Sequence, residues 1–153
     1  MTWFSYFLLS VPEAFLLLAV SFALFNISVK KNLKSMIIFA IIYGGVSFSL
    51  NIFMDTSIKP LISLTVFTLL VIVLFRLKVL YGFIIGIISF ILLVLFELLL
   101  LLPLSQVIPL EQIVASPWLR ILAGVLTIHL PLLIIILVIK KFKLSIKVPL
   151  VKK

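Results

Sequence analysis

The sequence predicts an all-α protein: a polytopic membrane helix bundle with five transmembrane helices, in one membrane domain covering residues 1–153. Three observations predict it. The composition is too apolar for a water-soluble domain. The apolar residues fall into five runs close to the length of a bilayer crossing. Lysine and arginine collect at alternate run ends, which orients the chain with its amino terminus outside and its carboxyl terminus cytoplasmic.

Of the 153 residues, 65% are hydrophobic and 11% are charged. The mean hydropathy is +1.52. A soluble globule of this size keeps much of its surface in water and needs polar cover for it. That cover is missing, so lipid is the expected solvent. The chain has no cysteine, which excludes disulfides, thiolate catalysis and cysteine-held metals. A net charge of +9 in a soluble protein would suggest nucleic acid. Here the basic residues gather at the ends of apolar runs and are not interleaved with aromatic rings that could stack on bases. They are expected to set topology and to touch anionic lipid, with no nucleic-acid partner.

The first run, 4–29, has no basic residue before it and no small-x-small cleavage pattern, so it is expected to stay as a span and not to be cleaved as a signal peptide. Within it, Ser10 and Glu13 have the S-x-x-E spacing of a capping box, with Pro12 in the first turn. That predicts a helix start at Ser10 and places Glu13 at the outer rim. The second run, 36–54, carries Gly44, Ser47 and Asn51 on one helical face. The third, 61–75, is shorter than the ~20 residues that cross ~30 Å of hydrocarbon, and Arg76 and Lys78 are expected to snorkel from its end.

The fourth run, 79–102, lines up Gly82, Gly86, Ser89, Leu93 and Glu97. Its "GFIIG", Gly82 to Gly86, fits the small-xxx-small pattern, which serves either packing within one bundle or a homo-oligomer. The connection Pro103 to Trp118, "PLSQVIPLEQIVASPW", is expected to form a short interfacial helix over Leu110–Ala115. The fifth run, 119–139, places Arg120, Gly124 and Thr127 on one face. On ideal geometry His129 points away from Gly124 and Thr127, although Pro131 can bend the helix there. Gly44, Gly82, Gly86 and Gly124 are the expected helix-packing positions.

Eleven of the thirteen basic residues fall after the first, third and fifth runs; only Lys59 and Arg120 fall on the other side. The lysine-rich side is therefore the cytoplasmic one. Residues 140–153 form a basic cytoplasmic tail, in which Lys140, Lys141, Lys143 and Lys147 are the expected contacts for lipid or a partner protein. Trp3, Tyr6 and Trp118 fall near the outer boundary, where amphipathic rings prefer to sit.

Counting helical rise from the basic ends puts Glu13, Asn51, Glu97 and Arg120 in the outer third of the membrane. An acidic residue at mid-helix costs about 2.5–3.5 kcal/mol on insertion scales, so a carboxylate there must pair, meet water or take a proton. These four residues are the candidate ligand-binding set. The competing expectation is structural, with Glu13 capping a helix and Glu97 paired to Arg120. Catalysis finds no footing. Asp55 is the sole aspartate, there is no H-E-x-x-H, G-x-S-x-G or Gly-rich phosphate loop, and His129 is the sole histidine. No enzyme activity, cofactor or metal is expected, and His129 is expected to pack or hydrogen-bond.

Several strings together resemble a known group. "VPEAFLLL" in the first run, the basic loops, "FELLLL" in the fourth run and "ASPWLRILAG" before the fifth are similar to the small multi-span membrane sensor regions of Firmicutes proteins. In that group such a region often precedes a GHKL-type histidine kinase, as in AgrC-like peptide-sensing kinases. This sequence departs from them after Lys141, where twelve residues follow with no phosphoacceptor-histidine region and no ATP-binding domain. The resemblance implies a stand-alone sensory or accessory module in the cell membrane, acting in signal transduction through a membrane or cytoplasmic partner such as a histidine kinase. The outer layer would take an extracellular peptide or small cationic ligand. A small transporter or transporter subunit is the alternative.

Overall fold

The computed structural model describes residue 4, residues 6–54 and residues 56–146. Trp3, Asp55, Lys147, Lys152 and Lys153 lie outside the described residues. The described chain is an all-helical bundle. Four of its helices are long and apolar enough to cross a membrane: Phe7–Leu24, Leu33–Phe53, Val79–Val107 and Pro117–Phe142. Lys59–Phe75 is apolar but has only 17 residues.

The first run is helical from the π-helical turn Tyr6–Ser10 into α1, Val11–Leu24. The capping box expected at Ser10 is not formed. Ser10 is itself helical (φ −67°, ψ −38°) and its side chain caps nothing, because the turn before it already supplies backbone partners. The helix also stops short of residue 29. Asn26 turns left-handed (φ 54°), its N–H bonds Ala23 O at 3.2 Å, and the Ile27 N–H bonds Phe22 O at 2.8 Å. That is a Schellman stop, and asparagine tolerates the left-handed position better than other side chains.

α2 runs over Leu33–Phe53, and α3 over Lys59–Phe75 with Pro60 in its first turn. α4, Val79–Phe96, continues through the π turn Glu97–Leu101 into α5, Leu102–Val107. The helix therefore runs past the boundary expected at residue 102, since Pro103 falls where its ring is accommodated by the wide turn before it. The short α6 covers Leu110–Ala115, the bounds expected for a helix in this connection. α7, Pro117–Gly124, starts with the Ser116 hydroxyl accepting the Leu119 N–H at 3.5 Å. It passes through the π turn Val125–His129 into α8, Leu130–Phe142.

α1 is the axis of the bundle and packs against α2, α4 and α8, while α3 bridges α2 and α4. Phe22, Leu18 and Val20 of α1 are fully buried with Phe39, Met36, Val71, Ile85 and Leu132 from the surrounding helices. Phe39, Tyr43 and Phe67 form an aromatic triangle with centroids 5.0–5.6 Å apart. Each such pair adds roughly 0.5–1.5 kcal/mol beyond burial. The outward faces are apolar too: Val73, Leu137, Phe53 and Phe83 are all exposed, as they are on a bundle solvated by lipid.

Small residues set the close approaches. A methyl group on Gly44 would lie 3.1 Å from the Ser10 carbonyl oxygen and from Val11 Cα, and one on Gly124 would lie 2.6 Å from Leu9 Cδ2. Methyl groups on Gly82 and Gly86 would run into Ile72 and Thr68 of α3. The "GFIIG" face is thus occupied by a helix of the same chain.

Candidate functional site

Two hydroxyl pairs tie helices of the bundle together. The Ser21 and Ser89 hydroxyls meet at 2.6 Å between α1 and α4, and those of Tyr43 and Ser63 at 2.6 Å between α2 and α3. The first pair fixes the register of α1 against α4, which run antiparallel. Eight residues further along each helix, toward the lysine-poor end, stand Glu13 and Glu97. The two acids therefore share one level, ~12 Å beyond the serine pair. They feel one another electrostatically: Glu97 is the charged neighbour of Glu13, and Lys59 is the charged neighbour of Glu97. Tyr43 lies within reach of the Glu13 charge.

His129 comes to the same layer. Gly124 beside Leu9 sets the alignment of the helix Pro117–Phe142 along the first helix, Phe7–Leu24, and the turn Val125–His129 packs against both α1 and the turn Glu97–Leu101. His129 is buried, 7% exposed. Its Nδ1 lies 3.0 Å from the Gly124 carbonyl oxygen, and its Nε2 has no hydrogen-bond partner among the described residues. The ideal-helix expectation that His129 points away from Gly124 is corrected here. A five-residue turn brings positions i and i+5 together, and the π turn supplies that spacing.

Among the described residues all three π turns end two residues before a proline: Ser10 before Pro12, Leu101 before Pro103, and His129 before Pro131. Proline lacks the N–H that continues an α-helix, and its ring crowds the carbonyl four residues back. Widening the preceding turn relieves that crowding while the helix goes on. Glu13 follows the first of these breaks, Glu97 opens the second and His129 closes the third. The polar groups and the helix irregularities thus coincide.

The expected set divides. Glu13 and Glu97 come together; Asn51 and Arg120 do not join them. Asn51 is seven residues beyond Gly44, whose neighbour is Ser10, so it is ~10 Å further toward the lysine-poor end. Arg120 is four residues beyond Gly124, likewise outward of the acids. Both are exposed. Two helical turns, the π turn and the start of α1, precede Glu13. It is half-buried, while Glu97 is at the bundle surface.

Sequence reasoning missed Lys59 and the pair Tyr43–Ser63. The signal for Lys59 was present: it is one of only two basic residues on the lysine-poor side. Chemically, two carboxyl groups and one lysine in a low-dielectric layer must share protons or meet a cation, and an ammonium or guanidinium group suits them when both are ionised. Among the described residues no group of histidine, aspartate and glutamate is placed to hold a metal.

Comparison of the chain with protein-family models, curated proteins and solved structures gave no match.

Proposed function

We propose that the chain is a five-span cell-membrane protein, amino terminus outside, that acts as a sensory or regulatory accessory module. Its outward-facing layer of Glu13, Glu97, Lys59 and His129 takes a cationic group of an extracellular peptide or small ligand. The observation that carries this reading is the pairing of Glu13 with Glu97 at one level of the bundle. Holding two like charges in lipid is costly, and a cation bound between them offsets that cost. Binding shifts the balance between two helix arrangements only if the ligand prefers one of them. The proline-linked π turns around the layer are the places where such a shift costs least. The lysine-rich end then reports to a membrane or cytoplasmic partner, for which a histidine kinase is the first choice to test.

One observation favours a second reading. Interrupted helices beside membrane-embedded acids are also what transporters use to coordinate ions. The two readings separate cleanly. Proteoliposomes holding the purified chain alone are tested for uptake of cationic peptides and amines. A signalling partner retained on mild-detergent purification, with no flux, supports the sensory module. Saturable flux that Glu13→Gln abolishes sinks it in favour of transport.

A further inference from the structure

The opposite end of the bundle holds a second polar feature. Where α1 and α8 both stop, a cavity of about 660 Å³ opens between them. Its polar wall is made by Asn26, Ser28, Lys30, Lys140, Lys143 and Ser145. Ile27 and Ile139 are among the apolar residues that line the rest. Three lysines thus border one concavity with no carboxylate among its lining residues.

The cavity is shaped by backbone and not only by flexible lysines. Asn26 and Lys143 both adopt the left-handed conformation (φ 54° and 51°) that ends their helices. The Leu144 N–H bonds Ile139 O at 3.1 Å to complete the second stop, and the Ile146 N–H bonds Leu24 O at 2.7 Å, which ties the segment after α8 to the end of α1. The Ser28 oxygen accepts the Lys31 N–H at 3.4 Å, so its own hydrogen remains available to donate.

Depth distinguishes this cavity from an ordinary basic surface. In the register set by Ser21 and Ser89, Leu24 lies level with Gly86, seven residues short of the start of α4 at Val79. The cavity floor is therefore recessed by ~10 Å from the end where Arg76 and Lys78 sit. A phospholipid phosphate seated on that floor would leave its acyl chains to continue along the apolar helices.

We infer that the cavity between the ends of α1 and α8 binds the phosphate of an anionic phospholipid, with Lys30, Lys140 and Lys143 on the phosphate and Ile27 and Ile139 against the glycerol and first methylenes. The inference requires that the helices cross a membrane. It does not require the sensory role or the acidic layer, so each can fail without the other.

The test uses the full chain purified in detergent, with binding followed by thermal shift and by lipid retained in native mass spectrometry. Phosphatidylglycerol, phosphatidylcholine and inorganic phosphate are titrated separately. Saturable binding of phosphatidylglycerol is expected to weaken ~30-fold in K140Q/K143Q, from about 1 kcal/mol for each lysine. The control K34Q/K141Q removes the same charge at the same end outside the cavity, and should change binding less than ~3-fold. K140R/K143R keeps the charge and should keep binding, and a lipid-free melting temperature of K140Q/K143Q equal to that of the unaltered chain shows that the glutamine pair did not fail by misfolding; loss of binding in the arginine pair would overturn the site. Equal losses in the two glutamine pairs would mean a diffuse basic surface and overturn the site. So would equal binding of phosphatidylcholine. Displacement of the lipid by inorganic phosphate at matching concentration would overturn the lipid as occupant and leave a soluble phosphate in its place.

Discussion

Ser21 and Ser89 meet hydroxyl to hydroxyl at 2.6 Å, buried between α1 and α4. In lipid there is little hydrophobic reason for helices to associate, so such pairs and close packing carry the association. Ser21→Ala or Ser89→Ala alone is expected to cost roughly 0.5–1 kcal/mol, with a coupling of about 0.6 kcal/mol in the double-mutant cycle. Reversible unfolding in mixed micelles measures it. Independent, additive effects would show that the pair does not hold the register.

Gly86 faces Thr68 so closely that an added methyl group overlaps the Thr68 hydroxyl oxygen. Gly86→Ala is expected to destabilise the bundle by about 1–3 kcal/mol, as overpacking does. Thr68→Ala removes the overlapped oxygen and should recover most of the loss in the double variant. Failure of that rescue would place the approach of α3 and α4 elsewhere. Gly44 has no such remedy, because its neighbours are the backbone of Ser10 and Val11. Gly44→Val should lower the amount of folded protein recovered in detergent.

Much of this was legible beforehand, for identifiable reasons. Helix positions followed from long apolar runs, which in lipid decide both existence and type of an element. The small residues at 44, 82, 86 and 124 were visible because close helix approach demands them. The interruptions were not. Pro12, Pro103 and Pro131 were plain in the sequence, but a proline can end, kink or widen a helix. Which of these occurs depends on neighbours that only the bundle supplies. His129 illustrates the consequence: a count at 100° per residue points it the wrong way once a five-residue turn intervenes. The site follows the same logic: a count of depth from the lysines ignores the offsets between helices, so it groups Asn51 and Arg120 with the acids, whereas the bundle sets both further toward the lysine-poor end.

Orientation gives the next test. With the lysine-rich end cytoplasmic, a reporter fused after Lys34 should read inside and one fused after Ile108 outside. The second junction follows the end of α5 at Val107, because a fusion within that helix would remove its last turn. An outside reading after Lys34 would invert the molecule. The acidic layer would then face the cytoplasm, and no extracellular ligand could reach it.

Lys59 is the charged neighbour of Glu97, and Glu97 that of Glu13. Glu13→Gln and Glu97→Gln each remove one of the paired carboxylates, and both should leave the protein amount in the membrane unchanged while abolishing ligand response. A purely structural role predicts the reverse, with protein lost and response per molecule kept. Lys59 sharpens the distinction. Lys59→Gln leaves Glu97 without its cation, so the layer becomes more negative. Affinity for a cationic probe should rise by a few fold if the acids bind it, since like and opposite charges at such sites act through the same Coulomb term. A bundle held together by the Lys59–Glu97 attraction instead loses stability in that variant and gains no affinity. Probe binding and unfolding on the same preparation therefore decide whether the carboxylates serve a ligand or the fold.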